Sequence, residues 1–368
     1  MRPVRLGLAN VPVPFRAAFS HASATRRRAE NLLVRVEDSE GRVGLGEGCP
    51  RAYVTGETSD AAAASVARWR PALLRIDGVD SLRAWLEDMR EEIDRAPSAA
   101  CAVELALLDL FARQAGTPVE DLLGRPRLER PLAVTAVYGN TPTPVFLMQH
   151  VRFAAAGMAD SKLKLSGRGD RDGRRAARLA RHGRVRLDAN NLWPDAASAL
   201  AGLKRPAAHA WAVEEPVQPR DWAGLAQVGR ESGLAVILDE SFAGPRDLEQ
   251  LDAGVRYLVN LRLSHLGGLL RTLEALKAAR ARGVDVILGA HVGETSLLAR
   301  AALVVAGVAG AHLTGYEGAY GTWLLKHDPA VPSLTFGRDG RVVPGRQWRP
   351  DAPGWGLDLG EPIAWRET

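Results

Sequence analysis

The stretch Asp160-Ser-Lys-Leu-Lys-Leu165 has the short apolar alternation of a β-strand and carries two of the chain's five lysines, Lys162 and Lys164. Arginine supplies the other 43 of the 48 basic residues. Side chains alternate across a strand, so both ammonium groups point to the same side. Lysine can lose its proton when its pKa is depressed, whereas arginine in practice cannot. We therefore expect this strand to supply an amine that titrates.

Composition is that of a globular protein with room for one large domain and a smaller one. The 368 residues are 46% hydrophobic and 25% charged, and the formal net charge is +5. The arginines are scattered without an aromatic-interleaved stripe, so no nucleic-acid partner is expected. Two cysteines suit a reducing interior, and no apolar run reaches transmembrane length. We expect a cytoplasmic protein with no membrane partner.

The first 125 residues have the pattern of an α+β unit in which helices follow strands. An irregular segment is predicted at Pro14–Arg28, between the first two strands. The predicted strands are Val4–Leu8, Asn31–Glu37 and Arg42–Glu47, and the predicted helices are Thr58–Leu74, Ser81–Asp94 and Ser98–Ala115.

From Leu132 short apolar runs alternate with helical patterns, which indicates parallel βα units and fits a closed barrel of eight strands. The tail from Pro329 lacks this rhythm and is expected to fold back on the first unit. The predicted strands are Leu132–Tyr138, Ser161–Leu165, Val185–Leu187, Trp211–Val213, Val236–Leu238, Tyr257–Leu261, Asp285–Leu288 and His312–Thr314. The predicted helices are Arg171–Arg181, Pro194–Leu203, Trp222–Glu231, Pro245–Leu251, Leu269–Arg282 and Ser296–Val308.

Charged residues recur where the predicted strands end, which is where a parallel barrel places its functional side chains. Successive members are separated by 24, 26, 25, 23 and 29 residues, by subtraction of their numbers, and each interval is about one βα unit. In order they are Lys164, Asp188, Glu214, Asp239, Arg262 and His291.

Three carboxylates from neighbouring strands repel one another unless a cation lies among them. Asp188, Glu214 and Asp239 offer hard oxygen ligands, which favour Mg²⁺, with Mn²⁺ as an alternative. A divalent ion beside a lysine indicates removal of the α-proton of a carboxylate substrate, because the ion stabilises the resulting ene-diolate. Lys164 is then the base, and Lys162 lowers its proton affinity by like-charge repulsion and helps to neutralise the oxyanion.

These residues resemble the enolase superfamily, specifically its muconate-lactonising (muconate cycloisomerase) branch, over nearly the full length. The motifs that carry the resemblance are Lys162-X-Lys164, Asp188-X-Asn190, Glu214-Glu-Pro, Asp239-Glu-Ser, Leu266-Gly-Gly268, Gly46-Glu-Gly48, Thr55-Gly-Glu57 and Val103-Glu-Leu-Ala-Leu-Leu-Asp109.

The resemblance implies an α/β fold, a modified (β/α)7β TIM-type barrel with an N-terminal α+β capping domain. The expected boundaries are residues 1–125 for the cap, 126–328 for the barrel and 329–368 for a C-terminal segment that returns to the cap. It implies Asp188, Glu214 and Asp239 as Mg²⁺ ligands, Lys164 as the acid/base, Asn190 and Glu240 as groups just outside the ligand set, and a homo-oligomer. Cap loops near Phe19–His21 and Arg51–Thr55 would close over the substrate.

Arg262 departs from the branch, which usually carries a second lysine there. Arginine is a poor acid or base, but it can pair with a carboxylate or stabilise an anion. The leading hypothesis is therefore a one-base reaction on Lys164, a syn β-elimination or cycloisomerisation of the muconate cycloisomerase or o-succinylbenzoate synthase kind. A guanidinium that turns towards an acid such as Glu240 would instead favour His291 as the group on the second face.

The first alternative is a racemase, epimerase or acid-sugar dehydratase that uses Lys164 and His291 on opposite faces. The second is a non-catalytic barrel homologue. Phe19, His21, Tyr53 and Glu317 are candidate contacts to a small carboxylate substrate. The resemblance makes dipeptide epimerisation the less favoured reaction, because Glu317 is the single acid that follows the eighth strand.

Overall fold

A computed structural model describes residues 1–21, 24–52 and 54–367, with the side chains of residues 17–26 left out of the description. The first unit is an antiparallel sheet followed by helices. Its strands are β1 (Arg5–His21), β2 (Ala24–Glu37) and β3 (Val43–Gly48). Its helices are α1 (Ser59–Leu73), α2 (Val79–Asp88), α3 (Arg90–Arg95), α4 (Pro97–Ala115) and α5 (Val119–Leu122).

The prediction of an irregular segment at Pro14–Arg28 is wrong, because β1 and β2 form one long hairpin through it. Their register shifts between Pro14 and Phe19. Prolines lack the N–H that a ladder needs, so their presence at positions 12 and 14 hides the strand in the sequence pattern. The hairpin carries Phe15 to a bridge with Leu325, at the far end of the chain.

Eight parallel strands then form one curled sheet in sequence order. They are β5 (Ala136–Tyr138), β6 (Asp160–Lys164), β7 (Arg184–Asp188), β8 (Ala212–Glu214), β9 (Ala235–Leu238), β10 (Tyr257–Leu261), β11 (Asp285–Leu288) and β12 (Leu313–Tyr316), preceded by β4 (Leu132–Ala133). The intervening helices are α6 (Thr143–Ala155), α7 (Gly169–Ala180), α8 (Ala196–Leu203), α9 (Trp222–Ser232), α10 (Leu263–Leu266), α11 (Leu269–Ala281), α12 (Ser296–Ala309) and α13 (Gly321–Leu324).

The barrel strands lie where the sequence predicts them, within a few residues, but two details differ. Helix α6 was not predicted, and Pro245–Gln250 is a 3₁₀ helix rather than an α-helix. The two ends of the sheet approach each other. The Thr135 N–H donates to the carbonyl of Tyr316 at 2.7 Å, and the Val137 N–H donates to the hydroxyl of Tyr320 at 3.0 Å. These bonds join the first barrel strand to the last.

The C-terminal segment returns to earlier parts of the chain through two of its four short strands and a buried tryptophan. The indole N–H of Trp355 donates to the carbonyls of Leu45 and Leu105, and its backbone N–H donates to Asp109. The strands are β13 (Ala330–Val331), β14 (Arg341–Val342), β15 (Asp358–Leu359) and β16 (Arg366–Glu367), of which β14 pairs with β4 and β16 with β1. Domain boundaries at residues 125 and 328 remain a proposal.

Two buried carboxylates of the first unit cap helices of the barrel. Glu104 on α4 accepts the Leu270 N–H at 2.9 Å, in the first turn of α11. Glu47 on β3 accepts the Thr295 N–H at 2.9 Å and its hydroxyl at 2.6 Å, at the start of α12. Such acceptors satisfy N–H groups that a helix terminus leaves without partners. The cap and the barrel are thereby joined by hydrogen bonds as well as by packing.

Within the described residues no helix combines the length and the apolar character needed to cross a membrane.

Candidate active site

The two lysines of β6 point together into the barrel, on the opposite side of the strand from the buried Leu163. Lys164 Nζ lies 2.9 Å from Asp188 Oδ2 and donates to Asn190 Oδ1 at 2.7 Å. The side chain of Lys164 is 14% exposed and borders the central cavity. The strand end thus presents a partly accessible ammonium group held by two oxygen acceptors.

Lys162 lies deeper and is surrounded by carboxylates. Its Nζ is 2.7 Å from Glu214 Oε1 and 3.2 Å from both Asp188 Oδ2 and Glu317 Oε1. Burial lowers the pKa of Lys162, but these carboxylates outweigh burial and hold its pKa well above the ordinary value. Lys162 is therefore a fixed positive charge rather than an amine that titrates.

Asp188, Glu214 and Asp239 end three successive strands and are all buried. Burial raises the pKa of Asp188, but Lys162 and Lys164 outweigh it and hold the pKa of this carboxyl below its usual range. Burial raises the pKa of Glu214 to about 8 and that of Asp239 to about 7. Burial thus makes Glu214 and Asp239 harder to ionise than Asp188, which two lysines contact.

We tested whether these carboxylates fit a divalent metal. In the part of the chain that the structure describes, no three His, Cys, Asp or Glu side chains are arranged to hold a metal ion. Instead each predicted ligand contacts a lysine or arginine. Glu214 Oε2 and Asp239 Oδ1 are nevertheless buried without a hydrogen-bond donor. Hard oxygen atoms are the ligands of Mg²⁺, so the chemistry of this donor set fits the ion.

Arg262 turns towards the acids of the preceding strand. Its Nη2 lies 2.6 Å from Asp239 Oδ1, although the angles are not those of a hydrogen bond, and 3.9 Å from Glu240 Oε1. Burial lowers the pKa of Arg262, but the two carboxylates outweigh it and raise the pKa, so this group stays protonated. Arg262 also borders the cavity, four strands from Lys164 in the sheet order.

His291 borders the same cavity and is uncharged. Neither of its ring nitrogens has a hydrogen-bond partner among the described residues. Burial and the nearby Arg262 and Arg51 guanidinium groups hold its pKa well below 6.5. Glu294 is an acid that lies beside it. Glu294 Oε1 accepts the His291 backbone N–H at 2.7 Å and lies 3.4 Å from His291 Nδ1.

The residues predicted just outside the ligand set lie at the cavity. Asn190 accepts from Lys164, and its backbone N–H donates to Asp188 Oδ1 at 3.1 Å. Glu240 borders the cavity with one carboxylate oxygen unpartnered within the described chain. Glu215, which the sequence analysis did not single out, accepts the backbone N–H groups of Asp239 and Ser241 at 2.6 and 2.7 Å. Glu215 therefore fixes the loop that carries Asp239.

The candidate substrate contacts have different outcomes. The side chains of Phe19 and His21, and all of Tyr53, lie outside the described residues. Glu317 borders the cavity, but its Oε1 accepts from Arg186 at 2.6 Å and its Oε2 accepts from Lys162 at 3.3 Å. Both carboxylate oxygens of Glu317 are thus hydrogen-bonded to cations below the site. Arg186 is fully buried, and the sequence analysis missed it, although its position two residues before Asp188 places it on the inner face of β7.

The central cavity has a volume of about 480 Å³. It brings together Lys162, Lys164, Asp188, Asp239, Arg262 and His291 with residues of the cap and of the segment after β12. This volume is suited to a small molecule.

Residues 4–124 match the profile of the mandelate racemase/muconate lactonizing enzyme N-terminal domain, and residues 147–363 match that of the enolase C-terminal domain-like family. The chain belongs to the mandelate racemase/muconate lactonizing enzyme family of the enolase superfamily. The resemblance drawn from its motifs is confirmed at this level, and the protein is an enzyme of that superfamily.

Characterised members of the family that resemble this chain are isomerases. The chain is 29% identical over 309 residues to the L-Ala-D/L-Glu epimerase of Bacillus subtilis, which covers 81% of this chain and 82% of the relative. It is 24% identical over 318 residues to the N-succinyl-L-Arg/Lys racemase of Bacillus cereus, covering 83% and 84%.

A solved structure, the dipeptide epimerase of Methylococcus capsulatus complexed with Mg and the dipeptide L-Arg-D-Lys, superposes with a TM-score of 0.79 at 27% identity. The match covers 97% of this chain and 99% of that chain. These relatives favour epimerase or racemase chemistry and give no specific support to cycloisomerisation.

Proposed function

We propose that the protein is a racemase or epimerase that removes the α-proton of a carboxylate substrate on one face and returns a proton on the other. Lys164 and His291 are the two groups that exchange protons with the substrate. The observation that carries this proposal is their placement. Both border one cavity, Lys164 follows the second barrel strand and His291 the seventh, and Arg262 is paired with Asp239.

The protonation states of the two groups are complementary. Lys164 lies in an ion pair with Asp188, which requires its ammonium form. His291 is uncharged because of burial and the neighbouring guanidinium groups. A two-sided proton transfer needs one group that starts with the proton and one that starts without it. His291 therefore removes the proton and Lys164 donates one in one direction, and their roles exchange in the other.

Other side chains support this pair without exchanging protons. Lys162 provides a permanent positive charge beneath the reacting carboxylate, and Arg262 remains protonated across the cavity from Lys164. Both favour the developing negative charge of an enolate. Asn190 holds the Lys164 ammonium group in place through a 2.7 Å hydrogen bond. Two cations, Lys162 and Arg262, thus lie at the cavity floor where they can stabilise that charge.

Asp188, Glu214 and Asp239 are the side chains that would hold Mg²⁺. When bound, this ion neutralises negative charge on the substrate carboxylate. Magnesium in the related Methylococcus capsulatus structure supports the proposal, and Mn²⁺ is a candidate substitute with similar ligand preferences.

The proposed substrate class is an N-acylated α-amino acid, in which a dipeptide is included. Relatives that epimerise dipeptides or racemise N-succinyl amino acids support this class, because both kinds of substrate have an amide next to a carboxylated α-carbon. The sequence-based argument against dipeptides rested on Glu317. Glu317 accepts hydrogen bonds from Lys162 and Arg186, so it is not free to bind a substrate amine. An N-acyl substrate that has no charged amine does not need this contact and is compatible with the site.

The test is incubation of single stereoisomers of N-acyl amino acids with the protein and Mg²⁺ in D₂O, followed by NMR and chiral chromatography. We expect incorporation of deuterium at the α-carbon together with inversion of configuration, both abolished by EDTA and restored by Mg²⁺. Exchange with complete retention of configuration would overturn the two-sided assignment. A structural role for the metal alone predicts instead that EDTA lowers thermal stability without a selective loss of exchange.

A second candidate is the one-base syn elimination or cycloisomerisation on Lys164. One observation favours it, the protonated Arg262 at the strand position opposite Lys164, where it cannot act as a base. This reaction predicts loss of water or ring formation from a suitable acid, with no stereoinversion. The family membership argues against a non-catalytic barrel, which predicts that no acid exchanges its α-proton.

We also propose that the protein is a homo-oligomer, by analogy with its family. Its two buried, free cysteines are consistent with a reducing compartment, so we propose a cytoplasmic location. Sedimentation of the purified protein tests the oligomeric state.

A further inference from the structure

The outer part of the cavity differs in charge from its floor. Arg16 and Arg152 are exposed side chains that border the cavity, whereas Lys162, Asp188 and Arg262 at the floor are buried. The floor balances cations against carboxylates at short distances. The outer part carries two guanidinium groups, and guanidinium groups stay charged at all ordinary pH values.

Both arginines are held against the same short segment, α13 and its end. Arg16 Nε donates to the carbonyls of Thr322 and Leu325 at 2.6 and 3.1 Å. The Arg152 guanidinium carbon lies 4.6 Å from the centre of the Trp323 ring. Stacking on an aromatic face orients a guanidinium group and leaves its edge available for hydrogen bonds. The two charges are therefore fixed at one side of the entrance by groups that carry no charge of their own.

In the described part of the chain no carboxylate lies in an ion pair with either of these charges. Across residues 1–21, 24–52 and 54–367 neither Arg16 nor Arg152 forms an ion pair with an acid. Residues 8–29, which include most of β1 and the start of β2, contain four arginines and no aspartate or glutamate. The acids that border the cavity are Asp188, Asp239, Glu240, Glu294 and Glu317, all of which lie at the strand ends or in the loops that follow them.

From this asymmetry we infer that the cavity selects substrates with a second negative charge, a carboxylate remote from the reacting carbon, which Arg16 and Arg152 bind at the entrance. The inference rests on the proposed function and specifies its substrate class further. A guanidinium group binds a carboxylate through parallel hydrogen bonds, with a gain in affinity that is about tenfold for a partly exposed pair. The remaining lining at this end, Gln149, Phe153 and Leu324, is uncharged and suits the connecting atoms.

The test compares substrate pairs that differ only in the remote charge. N-succinyl and N-succinamoyl derivatives of one amino acid place the difference on the acyl side, and L-Ala-L-Glu and L-Ala-L-Gln place it on the side chain. We expect the acid of at least one pair to exceed its amide by roughly tenfold in kcat/KM for α-deuterium exchange. Arg16→Gln and Arg152→Gln should each reduce that ratio severalfold, and Arg152→Glu should reverse it.

Arg246→Gln is the matched control, because Arg246 is an exposed arginine that does not border the cavity. It removes the same charge and should leave the ratio unchanged. Circular dichroism and melting temperatures establish that each variant is folded.

Equal kcat/KM values for acid and amide in both pairs would overturn the inference. If no compound exchanges its α-proton, the proposed function fails, but the inference is still decided by calorimetric Kd values for the same pairs in the presence of Mg²⁺. A tenfold preference for the acids that is lost in the arginine variants supports it, and equal Kd values contradict it.

Discussion

The two walls of the cavity hold the two proposed proton-transfer groups in opposite surroundings. On the β6 wall, Lys164 is charged and has two oxygen acceptors within 2.9 Å. On the β11 wall, His291 is uncharged and both of its ring nitrogens lack a partner in the described chain. Strong local contacts therefore hold Lys164 in place, whereas the ring nitrogens of His291 are available to accept a proton in the proposed reaction. The difference teaches that complementary protonation states arise from the surroundings and do not require two identical residues.

Lys164→Ala removes the proposed acid/base from the β6 wall and should have the largest effect on activity. Removal of a general acid/base lowers rates by roughly 10³-fold or more, so α-deuterium exchange should fall at least that far. Exchange is followed by NMR in D₂O. Lys204→Ala, an exposed lysine on the outside of the barrel, is the control. Unchanged exchange in the Lys164 variant would remove this lysine from the reaction.

His291→Asn removes the proposed acid/base from the β11 wall and leaves Lys164 in place. Stereoinversion should fall by about 10²-fold, because the second face loses its proton acceptor. Exchange from the isomer whose α-proton faces Lys164 should persist, with the deuterium returned to the same face. Chiral chromatography combined with NMR separates the two outcomes. Equal loss of exchange for both isomers would mean that His291 does not serve one face.

Glu294→Gln sharpens the comparison, because it alters the support of His291 and leaves the imidazole in place. Burial raises the pKa of Glu294 to about 8. Above that pH its carboxylate should increase the basicity of His291, so the wild-type inversion rate should rise through about pH 8 and that of the variant should not. We expect about a tenfold difference at pH 9. A parallel pH profile for both proteins contradicts a positioning role for Glu294.

Glu104→Gln tests the scaffold that both walls share and should have the smallest effect on activity. Burial raises the pKa of Glu104 from 4.5 to about 8. A raised pKa in the folded state favours folding at low pH, and this contribution is lost as the pH rises through about 8. Urea unfolding at pH 5 and pH 9 should show the wild-type free energy falling by ~2 kcal/mol more than that of the variant. Equal falls would show that Glu104 keeps an ordinary pKa.

Much of the rim could be predicted because each βα unit has a similar length and each parallel strand ends at the same edge of the barrel. Asp188, Glu214 and Asp239 are 26 and 25 residues apart, and the structure places them close enough for their charges to interact. The partners of these groups could not be predicted in the same way. Arg186 and Glu317 are 131 residues apart, and no local pattern reports that their side chains meet.

Two local predictions failed for identifiable reasons. The long β1–β2 hairpin contains prolines, which argue against a strand in any single-sequence pattern. Helix α6 leaves Leu147, Met148 and Val151 exposed, so its apolar residues do not follow one buried stripe. Glu294 could have been found from the sequence, because it lies three residues after His291.

The capping of α11 by Glu104 has a consequence for how such enzymes can be recombined. A Cβ atom at Gly268, where φ is +130°, would lie 2.4 Å from Glu104 Oε2. The carboxylate of one unit and the missing side chain of the other therefore form a matched pair across the junction. A chimera that joins this cap to the barrel of a relative would have either an uncapped helix or a steric clash, unless Glu104 and Gly268 are both kept. An exchange of caps that is meant to transfer substrate specificity must therefore also transfer the residues of this junction.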